Sequence, residues 1–242
     1  MKILTFDIED WFHILDNPGT KNISDWGKFE NRIHRNMDLI HEICTKSNTK
    51  ATFFILGWIA EKYPEIVKKI SSLGYEIGSH TYSHQLVYDQ NQKQFVNDLE
   101  KSIKLIENLT GNKVKCFRAP GFSITENTLW AFESLVKSGI EYDCSIFSSR
   151  RAHGGMTSKN INVPCILSYK GLKIKEFPMS TYNISGFNAV FSGGGYFRFF
   201  PYKFIKEWTK QSEYIMTYFH PRDFDLNQPT LEDVSIYRKF KL

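Results

Sequence analysis

The chain has 242 residues, of which 41% are hydrophobic and 24% are charged, and its formal net charge is +5. This composition excludes a disordered chain, and the length suffices for one large α/β domain or two small ones. The positive charge is dispersed along the chain, so we expect no nucleic-acid partner. The longest strongly apolar stretch, residues 51–60, is about half as long as the roughly 20 residues of a membrane-spanning helix. We therefore expect no transmembrane segment.

The first residues and the cysteines bear on the compartment. Residues 2–7 predict a buried strand and show neither the basic segment nor the apolar segment of a secretory leader. The four cysteines are widely spaced and form no Cys-x-x-Cys pair, which argues against a disulfide framework. We therefore expect a cytoplasmic protein.

Strand-like and helix-like segments alternate along most of the chain. The predicted strands are residues 2–7, 51–56, 75–79, 114–117, 140–145, 172–177 and 214–219. The predicted helices are residues 28–46, 59–73, 95–111, 123–139, which opens at a capping box over 123–126, and 201–210. Repeated β-α units predict a mostly parallel sheet, open or closed into a barrel, in one domain over residues 1–242.

Ionisable side chains collect at the ends of the predicted strands. Asp7 and Glu9 end the first strand, His80 the third, Arg118 the fourth and His220 the last. The carboxyl ends of parallel strands open on one face of the fold, where active sites of such folds are built. We therefore expect these five side chains to share one site.

A pair of histidines four residues apart follows the third strand. If His80 and His84 lie on one helical turn, both can point at a single ion, at about 2 Å from each nitrogen. Surface or capping histidines have the same spacing, but here the pair follows a strand whose Gly78 lets the backbone turn. This setting adds weight to a metal site, and the alternative stays open.

Three carboxylates, those of Asp7, Glu9 and Asp10, lie at the end of the first strand. If the strand continues, Asp7 and Glu9 share a face. Crowded carboxylates repel one another, so a cation or a shared proton is needed to hold them together. A helix cap or a solvated turn is the alternative interpretation.

Basic residues follow the two remaining strands. Arg118 precedes a rigid Pro120–Gly121 turn, which can present backbone N–H groups to an anionic centre. Arg118 is equally well explained as a structural ion-pair partner. His220 follows an apolar strand, where a purely structural histidine is the alternative.

In this order and spacing, these motifs resemble those of the polysaccharide deacetylases, the carbohydrate esterase family whose shared core is called the NodB homology domain. The resemblance runs from Thr5 to about Asp225, and its most specific pieces are EIGSHTYSH and FRAPG. The pieces DIEDWFH and FHPRDFD are similar to a branch associated with bacterial surface and exopolysaccharide gene clusters.

The resemblance implies a distorted (β/α) barrel of about seven strands. It also implies a hydrolase that removes N-acetyl groups from an amino-sugar-containing glycan or glycan precursor, with one divalent metal, usually Zn²⁺. By resemblance, two metal ligands are His80 and His84, the general base is Asp7, the residue that orients the base is Arg118, the general acid is His220 and the oxyanion donor is the backbone N–H near Gly121.

The first motif departs from the pattern of the family. Most members have two adjacent aspartates, the second of which binds the metal, whereas Ile8 follows Asp7 here. The third ligand is therefore Glu9 or Asp10. We favour Glu9, because some members use an Asp-x-Asp spacing and Glu9 shares the strand face of Asp7.

The fourth motif is poorly matched. Asp143, in the fifth predicted strand, and Glu176, near the end of the sixth, are the candidates for the carboxylate that orients His220. Either could instead be a buried ion-pair partner. His13, which follows the first motif, either reaches the substrate or caps the next turn.

The sequence leaves two other functions open. The first is a metal amidohydrolase of the same fold that acts on a non-sugar C–N bond, and the second is a catalytically silent carbohydrate-binding relative. The sequence predicts neither the particular sugar nor the oligomeric state.

Overall fold

A computed structural model describes residues 1–15, 17–149, 153–156, 161–184 and 187–229. The strands in these residues are β1 Lys2–Ile3, β2 Thr5–Ile8, β3 Thr52–Ile55, β4 Glu76–Ser79, β5 Cys116–Phe117, β6 Tyr142–Asp143, β7 Cys165–Tyr169, β8 Leu172–Glu176, β9 Tyr182–Ile184, β10 Phe187–Ala189 and β11 Ile215–Met216. The α-helices are α1 Ile23–Trp26, α2 Ile33–Lys46, α3 Gly57–Lys62, α4 Pro64–Ser72, α5 Gln92–Thr110, α6 Trp130–Lys137, α7 Gly194–Phe199 and α8 Tyr202–Gln211. Among these helices, none combines the length and the apolar character that crossing a membrane requires.

Seven strands form one sheet in the order β2-β3-β4-β5-β6-β8-β7. Neighbouring strands are parallel except for the antiparallel β7–β8 hairpin. On the other side of β2, the chain around β11 runs parallel to the N-terminal strands and pairs Lys2 with Ile215 and Phe6 with Phe219. The sheet is therefore mostly parallel, as predicted.

The sheet curls until its two sides meet. Tyr214 donates from its hydroxyl to the carbonyl oxygen of Pro178 at 2.7 Å, and the N–H of Met216 donates to Ser180 Oγ at 3.2 Å. These bonds join the chain after β8 to the chain around β11. The resulting fold is a distorted α/β barrel built on a seven-stranded sheet, which confirms the predicted fold class.

The helices cover the barrel with their apolar faces, and α5 shows how the sequence specifies this. Phe95, Leu99, Ile103 and Ile106 are buried at intervals of three and four residues. A capping box opens the helix, and Gly111 closes it at a φ of 71°, a left-handed conformation that favours glycine. This helix packs against α3, α4 and α6.

The helix predicted over residues 59–73 is two helices. It breaks at Tyr63, whose φ of −133° and ψ of 61° are not helical, and α4 then begins at Pro64. Proline lacks the N–H that a continuous helix would need, whereas it is well tolerated at a first helical position. The chain therefore changes direction at Tyr63, where the apolar periodicity alone predicts one continuous helix.

The capping box predicted at residues 123–126 was also wrong. Thr125 makes the reciprocal bonds with Thr128 and opens a short 3₁₀ turn before α6. Ser123 instead accepts the backbone N–H of Val87 at 2.9 Å. The predicted helix over residues 28–46 begins only at Ile33.

Gly78 in β4 allows neighbouring strands to pack closely. A Cβ atom at this position would lie 2.6 Å from Phe54 Cδ1 and 2.8 Å from the carbonyl oxygen of Cys116. We expect Gly78→Ala to lower the free energy of unfolding by about 1–3 kcal/mol in urea denaturation, because overpacked cores lose that much. Gly27→Ala is the control, since nothing lies within 4 Å of its Cβ position. Equal stability of the two variants would contradict this prediction.

Candidate functional site

Three buried side chains meet at the ends of β2 and β4. Glu9, His80 and His84 each offer one ligand atom, and these atoms lie within 4.8 Å of one another. One carboxylate and two imidazoles make up the donor set of one class of catalytic zinc site. Together, these three residues could hold a divalent ion.

The two histidines do not share a helical turn, contrary to the prediction. Thr81 and His84 have φ values of 63° and 54°, so the loop that contains them follows an irregular path. Asp98 of α5 holds this loop by accepting the backbone N–H groups of Tyr82 and Ser83 at 2.9 and 3.3 Å. The pair is brought together by a constrained loop.

Both imidazoles are prepared to act as ligands. The Nδ1 atom of His80 donates to the carbonyl oxygen of Arg118 at 2.8 Å, which leaves the lone pair of Nε2 for the cluster. Burial lowers the pKa of His80 and lowers the pKa of His84 to about 4. Both rings are therefore neutral at neutral pH, and a neutral ring is the form that binds metal.

The carboxylate of Glu9 lies beside two imidazoles and a guanidinium. Its Oε2 atom lies 3.3 Å from both His84 Nε2 and Arg222 Nη1, and its Oε1 atom lies 3.2 Å from His220 Nε2. Burial raises the pKa of Glu9, but these three neighbours hold it well below its usual value. Oε2 is buried and, despite these neighbours, accepts no well-aligned hydrogen bond from the described residues. A charged and incompletely satisfied carboxylate fits a metal ligand.

Asp10, the other candidate for the third ligand, has a different role. Its carboxylate accepts the backbone N–H groups of Trp11, Arg32 and Ile33 at 2.8, 3.0 and 3.2 Å. These bonds fix the start of α2 against the end of the first strand. Of the two alternatives, Glu9 is the carboxylate that lies with the histidines.

Asp7 and Arg118 form a buried ion pair beside this cluster. Arg118 Nη1 donates to Asp7 Oδ1 and to Thr5 Oγ1, both at 2.7 Å, and Nε donates to the carbonyl oxygen of Cys144 at 3.2 Å. The guanidinium lies 4.3 Å from the ring centroid of Phe54 and is fully buried. Asp7 is close enough to the cluster to raise the pKa of His80, against the larger effect of burial.

His220 is oriented by Asp223, a residue that the sequence analysis missed. Asp223 Oδ2 lies 3.2 Å from His220 Nδ1 and also accepts the backbone N–H of His220 at 2.8 Å. Burial and Arg222 lower the pKa of His220, but hydrogen bonds to Asp223 and Glu9 outweigh them and raise it to about 9. The signal for Asp223 was its position three residues after His220, which is the spacing of a capping box.

Asp143 and Glu176, the two residues predicted to orient His220, lie elsewhere. Asp143 accepts a bond from the Ser145 hydroxyl at 2.6 Å, and Glu176 accepts the backbone N–H of Ile146 at 3.0 Å. The two residues are paired on neighbouring strands, and one oxygen of each carboxyl group, Asp143 Oδ2 and Glu176 Oε2, is buried without a donor among the described residues. Burial and then the neighbouring Asp143 carboxylate raise the pKa of Glu176 well above its usual value, so the pair retains a proton.

This pair predicts a pH dependence of stability. The folded state keeps a proton that an unfolded Glu176 releases above about pH 4.3, so stability falls as pH rises from there towards the raised pKa. We expect Glu176→Gln, whose amide can donate to Asp143, to remove a slope of up to about 1.4 kcal/mol per pH unit. Urea denaturation of both proteins across this range measures the difference. Parallel stability curves would contradict the shared proton.

Gly121 lies in the tight turn Pro120–Phe122 with a φ of 59°. A Cβ atom here would lie 2.8 Å from Leu15 Cδ1 and 3.1 Å from Leu86 Cδ2. Both the backbone conformation and the close packing therefore require glycine. Only Arg118 and Ala119 separate the turn from β5, so its backbone lies near the end of that strand.

Comparison with known protein families identifies the N-terminal half of the chain. The polysaccharide deacetylase model matches residues 15–138, which is half of the chain. The chain belongs to the polysaccharide deacetylase family. This match includes His80, His84, Arg118 and Gly121, whereas Asp7 lies before it. Residues 144–242, which contain His220 and Asp223, match a domain of unknown function (DUF3473).

Three relatives of this deacetylase family member share segments of 80 to 101 residues with it. The peptidoglycan-N-acetylglucosamine deacetylase of Bacillus cereus is 45% identical over 36% of this chain and 32% of its own length. The peptidoglycan deacetylase of Helicobacter pylori is 36% identical over 42% of this chain and 33% of its own length. The chitooligosaccharide deacetylase of Azorhizobium caulinodans is 32% identical over 33% of this chain and 38% of its own length. The shared segments span about a third of the length of these relatives.

Solved structures agree with the fold. A Mycobacterium smegmatis structure assigned to the polysaccharide deacetylases superposes with a TM-score of 0.65 at 16% identity, over 93% of this chain and 78% of the other. A CE4 family pseudoenzyme from Bacillus anthracis superposes with a TM-score of 0.52 at 15% identity, over 91% of this chain and 54% of the other. At these identities the likeness concerns the fold alone, and it includes an inactive relative.

Proposed function

We propose that this protein is a metal-dependent hydrolase that removes N-acetyl groups from an amino-sugar-containing glycan or glycan precursor. The observation that carries the proposal is the Glu9–His80–His84 cluster beside the buried Asp7–Arg118 pair, in a member of the polysaccharide deacetylase family. The relatives named above are deacetylases of peptidoglycan and of chitooligosaccharides, which supports an N-acetylated sugar as the substrate.

The proposed metal ligands are Glu9, His80 and His84, and the proposed ion is zinc. Bound there, zinc would polarise the acetyl carbonyl group and lower the pKa of water towards about 7. The neutral imidazoles and the charged carboxylate described above are the protonation states that this binding requires.

Asp7 acts as the general base in this proposal. Its carboxylate takes a proton from the water molecule that attacks the acetyl carbonyl carbon. Arg118 holds the carboxylate in place through the 2.7 Å bond to Oδ1 and leaves Oδ2 for the proton. The backbone N–H near Gly121 stabilises the oxygen that becomes negative, and one such donor is worth roughly 3 kcal/mol.

His220 acts as the general acid. A pKa of about 9 keeps its ring protonated at neutral pH, and Asp223 fixes the ring through Nδ1. The proton on Nε2 is given to the sugar nitrogen as the C–N bond breaks, because an unprotonated amine is a poor leaving group. The products are acetate and a free amino sugar.

We also propose that the protein acts in the cytoplasm. All four cysteines are free thiols, and Cys44 and Cys144 are buried. Free thiols are usual in reducing compartments.

Acetate release tests the proposed function. We expect the zinc-loaded protein to release acetate from at least one N-acetylated sugar, oligosaccharide or lipid-linked glycan, and a chelator to abolish the release until zinc is restored. A cyclic ureide and a simple acetamide serve as non-sugar controls. Turnover of these controls alone would indicate an amidohydrolase, and glycan binding without acetate release would indicate a silent carbohydrate-binding protein.

A further inference from the structure

His13 is buried beside the candidate metal cluster and takes no part in the chemistry proposed above. His13 is 1% exposed, and the centroid of its ring lies 6.4 Å from that of the His84 ring. Trp26 and Trp58 pack edge-on against it with centroid distances of 4.3 and 5.2 Å. The ring is therefore held rigidly next to a proposed metal ligand.

Hydrogen bonding fixes the tautomer of this ring. The backbone N–H of Asp10 donates to His13 Nδ1 at 2.8 Å, and the N–H of His13 donates back to the carbonyl oxygen of Asp10 at 3.1 Å. Nδ1 is an acceptor and carries no proton, so a neutral imidazole must carry its proton on Nε2. Asp10 is itself pinned to the start of α2 through its side chain, so the donor cannot easily move.

The Nε2 atom has no hydrogen-bond partner anywhere in the part of the chain that the structure describes, and it is buried. Leaving a buried donor unsatisfied costs about 1–3 kcal/mol, and native proteins satisfy almost all such groups. His41 is unpartnered too, so it is the position of His13 at a groove beside the candidate metal cluster that points to an acceptor from outside the chain.

A groove of about 830 Å³ lies over His13 and His84. This volume is within the range of roughly 300–1,000 Å³ that is typical of ligand sites. Leu15 and Leu86 line the groove, and both approach the turn at Gly121. The groove thus connects the cluster, the turn and His13, and Asn17, Gln85 and Asp89 add polar groups to its walls.

We propose that His13 is a substrate-recognition residue whose Nε2–H donates a hydrogen bond to an oxygen of the glycan in this groove. The inference rests on the proposed function and adds a specificity residue to it. Hydroxyl, ring and amide oxygens of an N-acetylated sugar are acceptors for a neutral donor of this kind. The bond sets the position in which the acetylated sugar meets Glu9, His80 and His84.

The test is His13→Asn, because an asparagine oxygen can accept the Asp10 N–H in place of Nδ1 while the Nε2 donor is lost. The substrate is the glycan from which the wild-type protein releases acetate fastest. We expect KM to rise about tenfold, which corresponds to about 1.4 kcal/mol, with kcat changed much less and the bound zinc unchanged.

His41→Asn is the matched control. His41 is also buried with no hydrogen-bond partner for either ring nitrogen among the described residues, but it lies in α2 beside Tyr75 and Phe53, away from the groove. This control carries the same loss of ring volume, so it should lose stability and keep its KM.

A spectroscopic measurement on the intact ring supports the test, even if His13→Asn does not fold. Histidine ¹⁵N–¹H spectra of zinc-loaded Asp7→Asn protein, in which turnover is slowed, should show His13 protonated on Nε2. Addition of the glycan should shift this nitrogen and leave His41 unchanged.

Two outcomes would overturn different claims. An unchanged KM in His13→Asn, or a His13 Nε2 signal that the glycan does not shift, would overturn the recognition role and leave the deacetylase proposal intact. A wild-type protein that releases acetate from none of the glycans would overturn the proposed function, and this inference with it.

Discussion

Replacing His80 by alanine is expected to abolish both metal binding and activity. Only Glu9 and His84 would remain as protein ligands, whereas catalytic zinc sites use three. Mass spectrometry of the purified protein should find about one zinc ion per wild-type chain and almost none per His80→Ala chain. His34→Ala is a suitable control, because His34 is an exposed residue that faces Glu65 on the surface.

Thermal unfolding provides a second readout that does not depend on the substrate. A ligand at 100 times its dissociation constant stabilises the folded state by about 2.7 kcal/mol. Added zinc should therefore raise the melting temperature of the wild-type protein and of His34→Ala, and should leave that of His80→Ala unchanged. Full metal occupancy in a His80→Ala, His84→Ala double variant would exclude this site.

The same measurements separate the two candidates for the third ligand. Glu9→Gln should lose zinc, because its carboxylate lies with the histidines. Asp10→Asn should keep zinc and lose stability, since Asp10 accepts three backbone N–H groups at the start of α2. Loss of zinc in Asp10→Asn alone would reverse the assignment.

The sequence predicted those parts of the fold and site that follow from local patterns. Apolar runs such as residues 51–56 marked the buried strands. The carboxyl ends of parallel strands lie at the same edge of the sheet, and this does not depend on the conformation of the loops. This is why Asp7, Glu9, His80, Arg118 and His220 could be expected in one place before their contacts were known. The structure brings all five together.

The contacts that the sequence did not predict depend on loop geometry and on long-range packing. His80 and His84 meet through left-handed backbone at Thr81 and His84, which periodicity cannot show. Asp143 lies in a predicted strand, and the site residues lie at the ends of such strands. Its strand β6 is the neighbour of β8 in the sheet, which places Asp143 opposite Glu176. That pairing joins residues 33 positions apart and has no local signal.

Asp7→Asn is expected to lower kcat by about 10²–10⁴-fold while the zinc content stays unchanged. The asparagine oxygen can still accept the bond from Arg118 Nη1, so the geometry of the site is preserved. The amide cannot take a proton from water, so only the base is removed. Single-turnover acetate release and zinc analysis of the same sample measure the two effects.

Thr5→Val is the control for this variant, because it removes the other acceptor of Arg118 Nη1 and leaves the carboxylate in place. It should lose about 1.5–3 kcal/mol of stability, the contribution of a hydrogen bond to a charged group, and retain turnover to within about tenfold, since Asp7 keeps its own bond to Arg118. A comparable loss of kcat in both variants would mean that Asp7 acts by positioning Arg118 and not as a base. Loss of zinc in Asp7→Asn would instead make Asp7 a metal ligand, and the roles proposed for Asp7 and Glu9 would have to be exchanged.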